Sequence, residues 1–102
     1  MLKLKPCCEN CEKLLPPDST EARICSYECT FCAECVDNLL MNVCPNCGGG
    51  FVPRPVRPAT ERVPKTGLTV HPAASDRTVK KVDHETHAKL VSEIASIPPE
   101  KR

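Results

Sequence analysis

Nine cysteines lie between Cys7 and Cys47, and none follows. An odd number of cysteines cannot all pair within one chain. The opening Met1-Leu2-Lys3-Leu4-Lys5-Pro6 has no apolar run of the kind a signal peptide needs. No stretch is long and apolar enough to span a membrane. The thiols are therefore expected to stay reduced in the cytoplasm, where clustered cysteines read as metal ligands rather than disulfides. The rest of the composition agrees with a chain that needs such help. Leu, Ile, Val and Phe number 22 of 102 residues, with two Phe, one Tyr and no Trp. That is barely above the roughly one-fifth at which hydrophobicity alone stops folding a chain. A large core is excluded, and with it barrels and doubly wound enzyme folds.

The order of the cysteines narrows the chemistry further. Cys8-x2-Cys11 is followed by 13 residues, then Cys25-x3-Cys29-x2-Cys32-x2-Cys35, then 8 residues, then Cys44-x2-Cys47. Zinc takes four soft ligands in a tetrahedron. Two cysteines three apart can grip one ion from a tight turn whose backbone amides point at the sulfurs. Glycine after the second cysteine helps such a turn, and Cys44-Pro45-Asn46-Cys47-Gly48-Gly49-Gly50 supplies it. Eight cysteines make two tetrahedral Zn2+ sites and leave Cys7 spare.

The ligand order resembles the RING cross-brace family, in which the first and third pairs share one ion and the second and fourth the other. Carried over, the resemblance implies Cys8, Cys11, Cys32 and Cys35 at site 1, and Cys25, Cys29, Cys44 and Cys47 at site 2. Cys29 stands where that family usually has histidine. Sequential pairing (Cys8, Cys11, Cys25, Cys29, then Cys32, Cys35, Cys44, Cys47) is the competing arrangement. The first half as a whole resembles a small bacterial cysteine-rich family of unknown function. Leu15-Pro16-Pro17-Asp18-Ser19-Thr20, Ile24-Cys25-Ser26-Tyr27-Glu28-Cys29-Thr30-Phe31-Cys32 and Cys44-Pro45-Asn46-Cys47-Gly48-Gly49 carry that likeness. It implies a RING-like or treble-clef zinc fold and supplies no activity.

The expected fold is a small, metal-dominated α+β module over residues 1–50. Residues 23–31 are rich in strand formers and read as a hairpin between ligands. Val36, Leu39, Leu40 and Val43 fall at i, i+3, i+4 and i+7, which predicts a helix over 35–43 with Cys32 and Cys35 at its N-terminus. Ile24, Tyr27, Phe31, Leu39, Leu40 and Val43 are the expected mini-core. Residues 51–82 alternate proline with arginine, then lose all periodicity, and are expected to be a disordered linker. A C-terminal helix is predicted over 83–97, capped by Asp83, with Glu85 placed to pair with Lys89. Residues 98–102 are expected to be disordered. His84 and His87 read as solvated surface residues.

The charge is split. Residues 1–50 carry a formal −3 and residues 51–102 a formal +4, which make up the overall +1. The basic tail offers Arg54, Arg57, Arg62 and Lys65 as candidate phosphate or partner contacts. Little aromatic residue is available for stacking on bases. The leading expectation is a zinc-built protein-interaction module with an unidentified protein partner. By resemblance to RING-like folds, Glu9, Asn10, Leu39, Leu40, Pro45 and Asn46 map to the partner groove. Nucleic-acid binding through the tail is the alternative. Ligase-like activity is a lesser one, since Glu9 and Gly48 depart from the RING ligase pattern although Pro45 agrees. Cys29-x2-Cys32-x2-Cys35 also echoes an iron–sulfur run, with the wrong final spacing. Catalysis at zinc is not expected, because four-cysteine sites leave no open position and the first half has no histidine to act as a base.

Overall fold

Strand formers flank Cys25 and Cys29, and they pair. The computed structural model describes residues 1–102 and contains a three-stranded antiparallel sheet. Its strands are β1 (Ala22–Ile24), β2 (Thr30–Cys32) and β3 (Val52–Pro53), in the order β2-β1-β3. Ala22 opposes Cys32, Arg23 opposes Phe31 and Ile24 opposes Thr30, so the predicted hairpin forms with Cys25 and Cys29 in its turn. β3 adds the edge, where Pro53 is tolerated because no further strand needs its N–H.

β2 runs directly into helix α1 (Ala33–Cys35), which widens at once into a π-helical turn (Val36–Leu40). Met41 and Asn42 both adopt left-handed φ, at 52° and 58°, and end the helix. It therefore starts and stops earlier than its apolar stripe predicts. Val36, Leu40 and Val43 are still buried, but Val43 reaches the interior from beyond the helix and Leu39 is only half-buried.

The core gathers Leu15, Ala22, Phe31, Val36 and Leu40 around Cys8, Cys32 and Cys35. Phe31 meets Phe51 edge to face at 5.5 Å between ring centroids. Two expected core residues stand apart: Ile24 is half-buried, and Tyr27 is 76 % exposed at the tip of the ligand turn. Leu4 and Leu15 take their place, brought inward by the N-terminal segment.

The second half departs most from expectation. Residues 51–82 are not the expected disordered linker: Val52–Pro53 form β3, and residues 59–82, although they hold no strand or helix as their lack of periodicity implies, are ordered against the module. They lie against the first half through backbone hydrogen bonds: Ala74 N–H donates to Leu4 O at 3.0 Å, and Lys80 N–H to Glu9 O at 2.8 Å. Arg57 donates to Leu2 O and His71 O, and Lys3 pairs with Asp76. Irregular backbone satisfied in this way leaves no periodic trace in a sequence. Helix α2 (His84–Ile94) follows, with the Asp83 carboxylate accepting from the N–H groups of Glu85 and Thr86 as predicted. Residues 98–102 are not disordered as expected: a 3-10 turn (Pro99–Lys101) packs against Gly50, and Arg102 bonds Asn42 O and Gly48 O. No helix is long and apolar enough to cross a membrane.

Candidate metal centres

Two Cys-x-x-Cys turns fold along the same path. Cys8 N–H donates to Lys13 O and Glu12 N–H returns to Cys8 O. Cys44 N–H donates to Gly49 O and Gly48 N–H returns to Cys44 O. The residue after the second cysteine has positive φ in both, 64° at Glu12 and 76° at Gly48. These knuckles aim amides at sulfur, as the spacing predicts: Cys11 N–H at Cys8 Sγ (3.5 Å), Asn46 N–H at Cys44 Sγ (3.4 Å) and Gly49 N–H at Cys47 Sγ (3.4 Å).

The knuckles meet sulfurs from the sheet and helix. Cys8, Cys11, Cys32 and Cys35 place their sulfurs within 4.8 Å of one another, with Cys32 capping α1 through Cys35 N–H. Cys25, Cys44 and Cys47 converge within the same limit. Cys29 flanks that triplet without joining it at that distance. Its thiol neighbours Cys25 and Cys44, and its Sγ accepts from Asn46 Nδ2 at 3.5 Å. The grouping is interleaved along the chain rather than sequential.

Asn10 and Asn46, expected to line a partner groove, also each supply a hydrogen bond to sulfur. Each precedes the second cysteine of its knuckle, and each sends Nδ2 to a sulfur of the opposing segment, Asn10 to Cys35 and Asn46 to Cys29, both at 3.5 Å. The repeated Cys-x-Asn-Cys was the available signal.

The donor set fits a soft cation. Burial pushes the Cys29, Cys32, Cys35 and Cys44 thiols up. Burial opposes ionisation of Cys11 as well, but the Lys13 amide and the neighbouring Cys8, Cys32 and Cys35 side chains hold it below its ordinary value. Buried sulfurs of this kind become thiolates at neutral pH when a cation compensates them, and a coordinated thiol is deprotonated outright. Each group of cysteines could thus hold a metal ion. Cys7 joins neither group. It is 1 % exposed, bridges to Leu14 in the backbone, and burial raises its pKa, so it stands as a buried core thiol.

The candidate partner and phosphate residues are mostly engaged within the chain. Glu9 is buried, accepts from Thr30 N–H and pairs with Lys5 at 3.0 Å. Leu40 is fully buried, so neither it nor Glu9 faces outward. Asn10 Oδ1 accepts from Val82 N–H at 2.9 Å. Pro45 and Asn46 face Lys80, Val82 and the first turns of α2 across a cavity of about 450 Å³. Leu39 alone opens elsewhere, beside Cys11, Lys13, Glu34 and Asn38. Arg54 is 4 % exposed and donates to three carbonyls, Lys5 O, Leu15 O and Pro16 O. Arg57 is half-buried on Leu2 O and His71 O, which leaves Arg62 and Lys65 exposed. His84 is exposed as expected, whereas His87 is buried against Val43 O at 2.8 Å. Its i+3 spacing from His84 hid the turn of α2 that carries it inward.

Known proteins place this arrangement without assigning it an activity. An uncharacterized protein of Rhizobium meliloti (strain 1021) is 51 % identical over 80 residues, covering 78 % of this chain and 88 % of that protein. No solved structure matches the chain. The family model described as "Protein of unknown function (DUF1272)" matches residues 1–57, the stretch that holds both knuckles and all nine cysteines, and the chain belongs to that family.

Proposed function

We propose that this chain is a two-zinc module that holds another protein and carries no catalytic centre of its own. The observation that supports zinc is the pair of all-sulfur donor groups, each drawn from one knuckle and one segment of the hairpin and helix. Thiolates in this number select zinc over harder ions. Cys29 completes the second group in this reading, since its sulfur already neighbours Cys25 and Cys44. Four thiolates around zinc leave no position for water or substrate, and Cys7 is sealed in the core. Both features favour a structural role for the metal over a catalytic one.

For the partner, the exposed side of Leu39 is the best-supported surface. It lines a cavity of about 330 Å³ with Lys13, Glu34 and Asn38, next to the first metal group. A nucleic-acid role draws on fewer groups than the sequence suggests, because Arg54 and Arg57 are taken by backbone carbonyls. Native mass spectrometry of the purified protein tests the metal reading. Two zinc ions per chain are expected, and a brown protein with visible iron–sulfur absorbance would overturn it. Leu39→Asp should keep both zincs and lose a protein captured by the wild type from the source cytosol. Capture unchanged by that substitution would remove Leu39 from the surface.

A further inference from the structure

The carbonyls that flank the second knuckle are paired by the last stretch of the chain. Val43 O, directly before Cys44, meets His87 Nε2 at 2.8 Å. Because a carbonyl only accepts, Nε2 carries the proton in that contact. Gly48 O, directly after Cys47, accepts from Arg102 Nη1 at 3.1 Å, and the same nitrogen reaches Asn42 O at 2.9 Å. Arg102 Nε donates to Ile97 O, which ties the guanidinium to the end of its own segment.

The packing repeats this pattern. A Cβ at Gly48 would meet Ile94 Cδ1 at 3.2 Å, and one at Gly50 would meet Pro99 Cγ at 2.8 Å. The knuckle glycines therefore let α2 and the 3-10 turn rest directly on the backbone that positions Cys44 and Cys47. The first knuckle is held differently. Lys80 N–H and Val82 N–H bond its Glu9 O and Asn10 Oδ1, Arg54 reaches carbonyls on either side of it, and α2 makes none of these contacts.

We infer that residues 84–102 form a clasp on the second metal knuckle, with His87 and Arg102 as its positioning residues, so that metal binding there and docking of α2 reinforce each other. The inference rests on the zinc reading above. The clasp recognises carbonyls fixed in place only when the knuckle is folded, and the knuckle is folded when its sulfurs share an ion. Thermodynamic linkage then makes the coupling reciprocal: whatever the docked helix adds to metal affinity, the metal adds to docking. Arg102 also brings a positive charge beside a centre that four thiolates and one Zn2+ leave negative.

The test uses the full chain loaded with Zn2+ and compares the two exposed ligands, Cys11 and Cys47. Alkylation by N-ethylmaleimide is followed at each by peptide mass spectrometry. In Arg102→Ala, Cys47 should react about tenfold faster than in the wild type, as expected from losing charged hydrogen bonds to two carbonyls, while Cys11 changes less than about twofold. Arg102→Lys should recover part of the protection, and His87→Gln should shift Cys47 in the same direction as Arg102→Ala. α2 amides should exchange faster once the metal is chelated. Equal acceleration of Cys11 and Cys47 would reveal a general loss of stability and overturn the clasp, and so would no acceleration at either. A wild type that holds fewer than two zincs overturns the metal reading instead, and is seen before any variant is compared.

Discussion

Cys8–Glu12 and Cys44–Gly48 follow one backbone path and are finished by different surroundings. Each closes through the same two hydrogen bonds, each turns back through a residue with positive φ, and each sends an asparagine Nδ2 to a sulfur of the opposing segment. The second half of the chain then contributes an arginine to each. Arg54 grips Lys5 O, Leu15 O and Pro16 O around the first knuckle from within the core. Arg102 grips Asn42 O and Gly48 O around the second from the surface, beside α2. The local fold of a Cys-x-x-Cys turn is thus specified twice by the same short pattern, whereas its anchorage is specified by residues tens of positions away.

The comparison breaks most completely if the metal proposed for both knuckles is removed. Structural zinc contributes on the order of 10 kcal/mol or more per site in small metal modules. With few apolar residues in reserve, residues 1–50 should unfold when EDTA and a thiol-active reagent strip the metal. α2 should then lose the carbonyls that hold it, so circular dichroism should fall across the whole chain. A metal-free protein with near-native circular dichroism would show that packing alone suffices. A smaller cut separates ligand from neighbour. On the proposed two-zinc reading, Cys8→Ser should lose one of the two ions and Cys7→Ser neither, as read by native mass spectrometry. Equal loss from the adjacent positions would mean that Cys7 and not the knuckle register governs the site.

These features differ in how far the sequence exposes them. The knuckles were legible because spacing and glycine placement are local constraints, and the hairpin and the Asp83 cap were legible for the same reason. The helix after Cys32 was only partly so, since the apolar stripe at Val36, Leu39, Leu40 and Val43 does not reveal that Met41 and Asn42 turn left-handed. Tyr27 has strand propensity and an apolar ring, yet it occupies the tight turn between Cys25 and Cys29 and points outward. The course of residues 59–82 was illegible, because backbone hydrogen bonds to Leu4 O and Glu9 O use no side chain. Arg54 and Arg57 read as solvent-facing charges for the complementary reason: only the fold shows that each guanidinium ends on carbonyls.

Arg54 sharpens the contrast between the two anchors. Its side chain is buried and satisfies three carbonyls at once. Arg54→Ala leaves those carbonyls without their donor and opens space beside them, at a cost of about 3 kcal/mol. Arg54→Lys should recover only part, since an ammonium cannot reproduce the fork. Thermal midpoints at fixed free Zn2+ measure this, because bound metal shifts apparent stability by mass action. A loss of less than about 1 kcal/mol in Arg54→Ala would mean that the first knuckle is anchored by its own turn.

The finest distinction lies in the two positive-φ positions. Glu12 adopts φ 64° with a side chain that strains there, while Gly48 adopts φ 76° without strain. Glu12→Gly should therefore raise the thermal midpoint, by up to about 1 kcal/mol of stability less the entropy that glycine adds to the unfolded chain. The exposed contact of Glu12 with Arg77, at 3.8 Å, is too weak to offset this. Gly48→Ala should act in the opposite direction, by about 1–2 kcal/mol, because it adds left-handed strain and pushes a Cβ towards Ile94. The two contributions separate in an Ile94→Ala background, where the contact is gone and only the strain remains. Gly48→Ala should then lose less than it does in the wild type. An equal loss in both backgrounds would place the whole effect in the turn and none in the helix resting on it. A fall in midpoint for Glu12→Gly would mean that the two knuckles differ already in their backbone, before any contact from the second half.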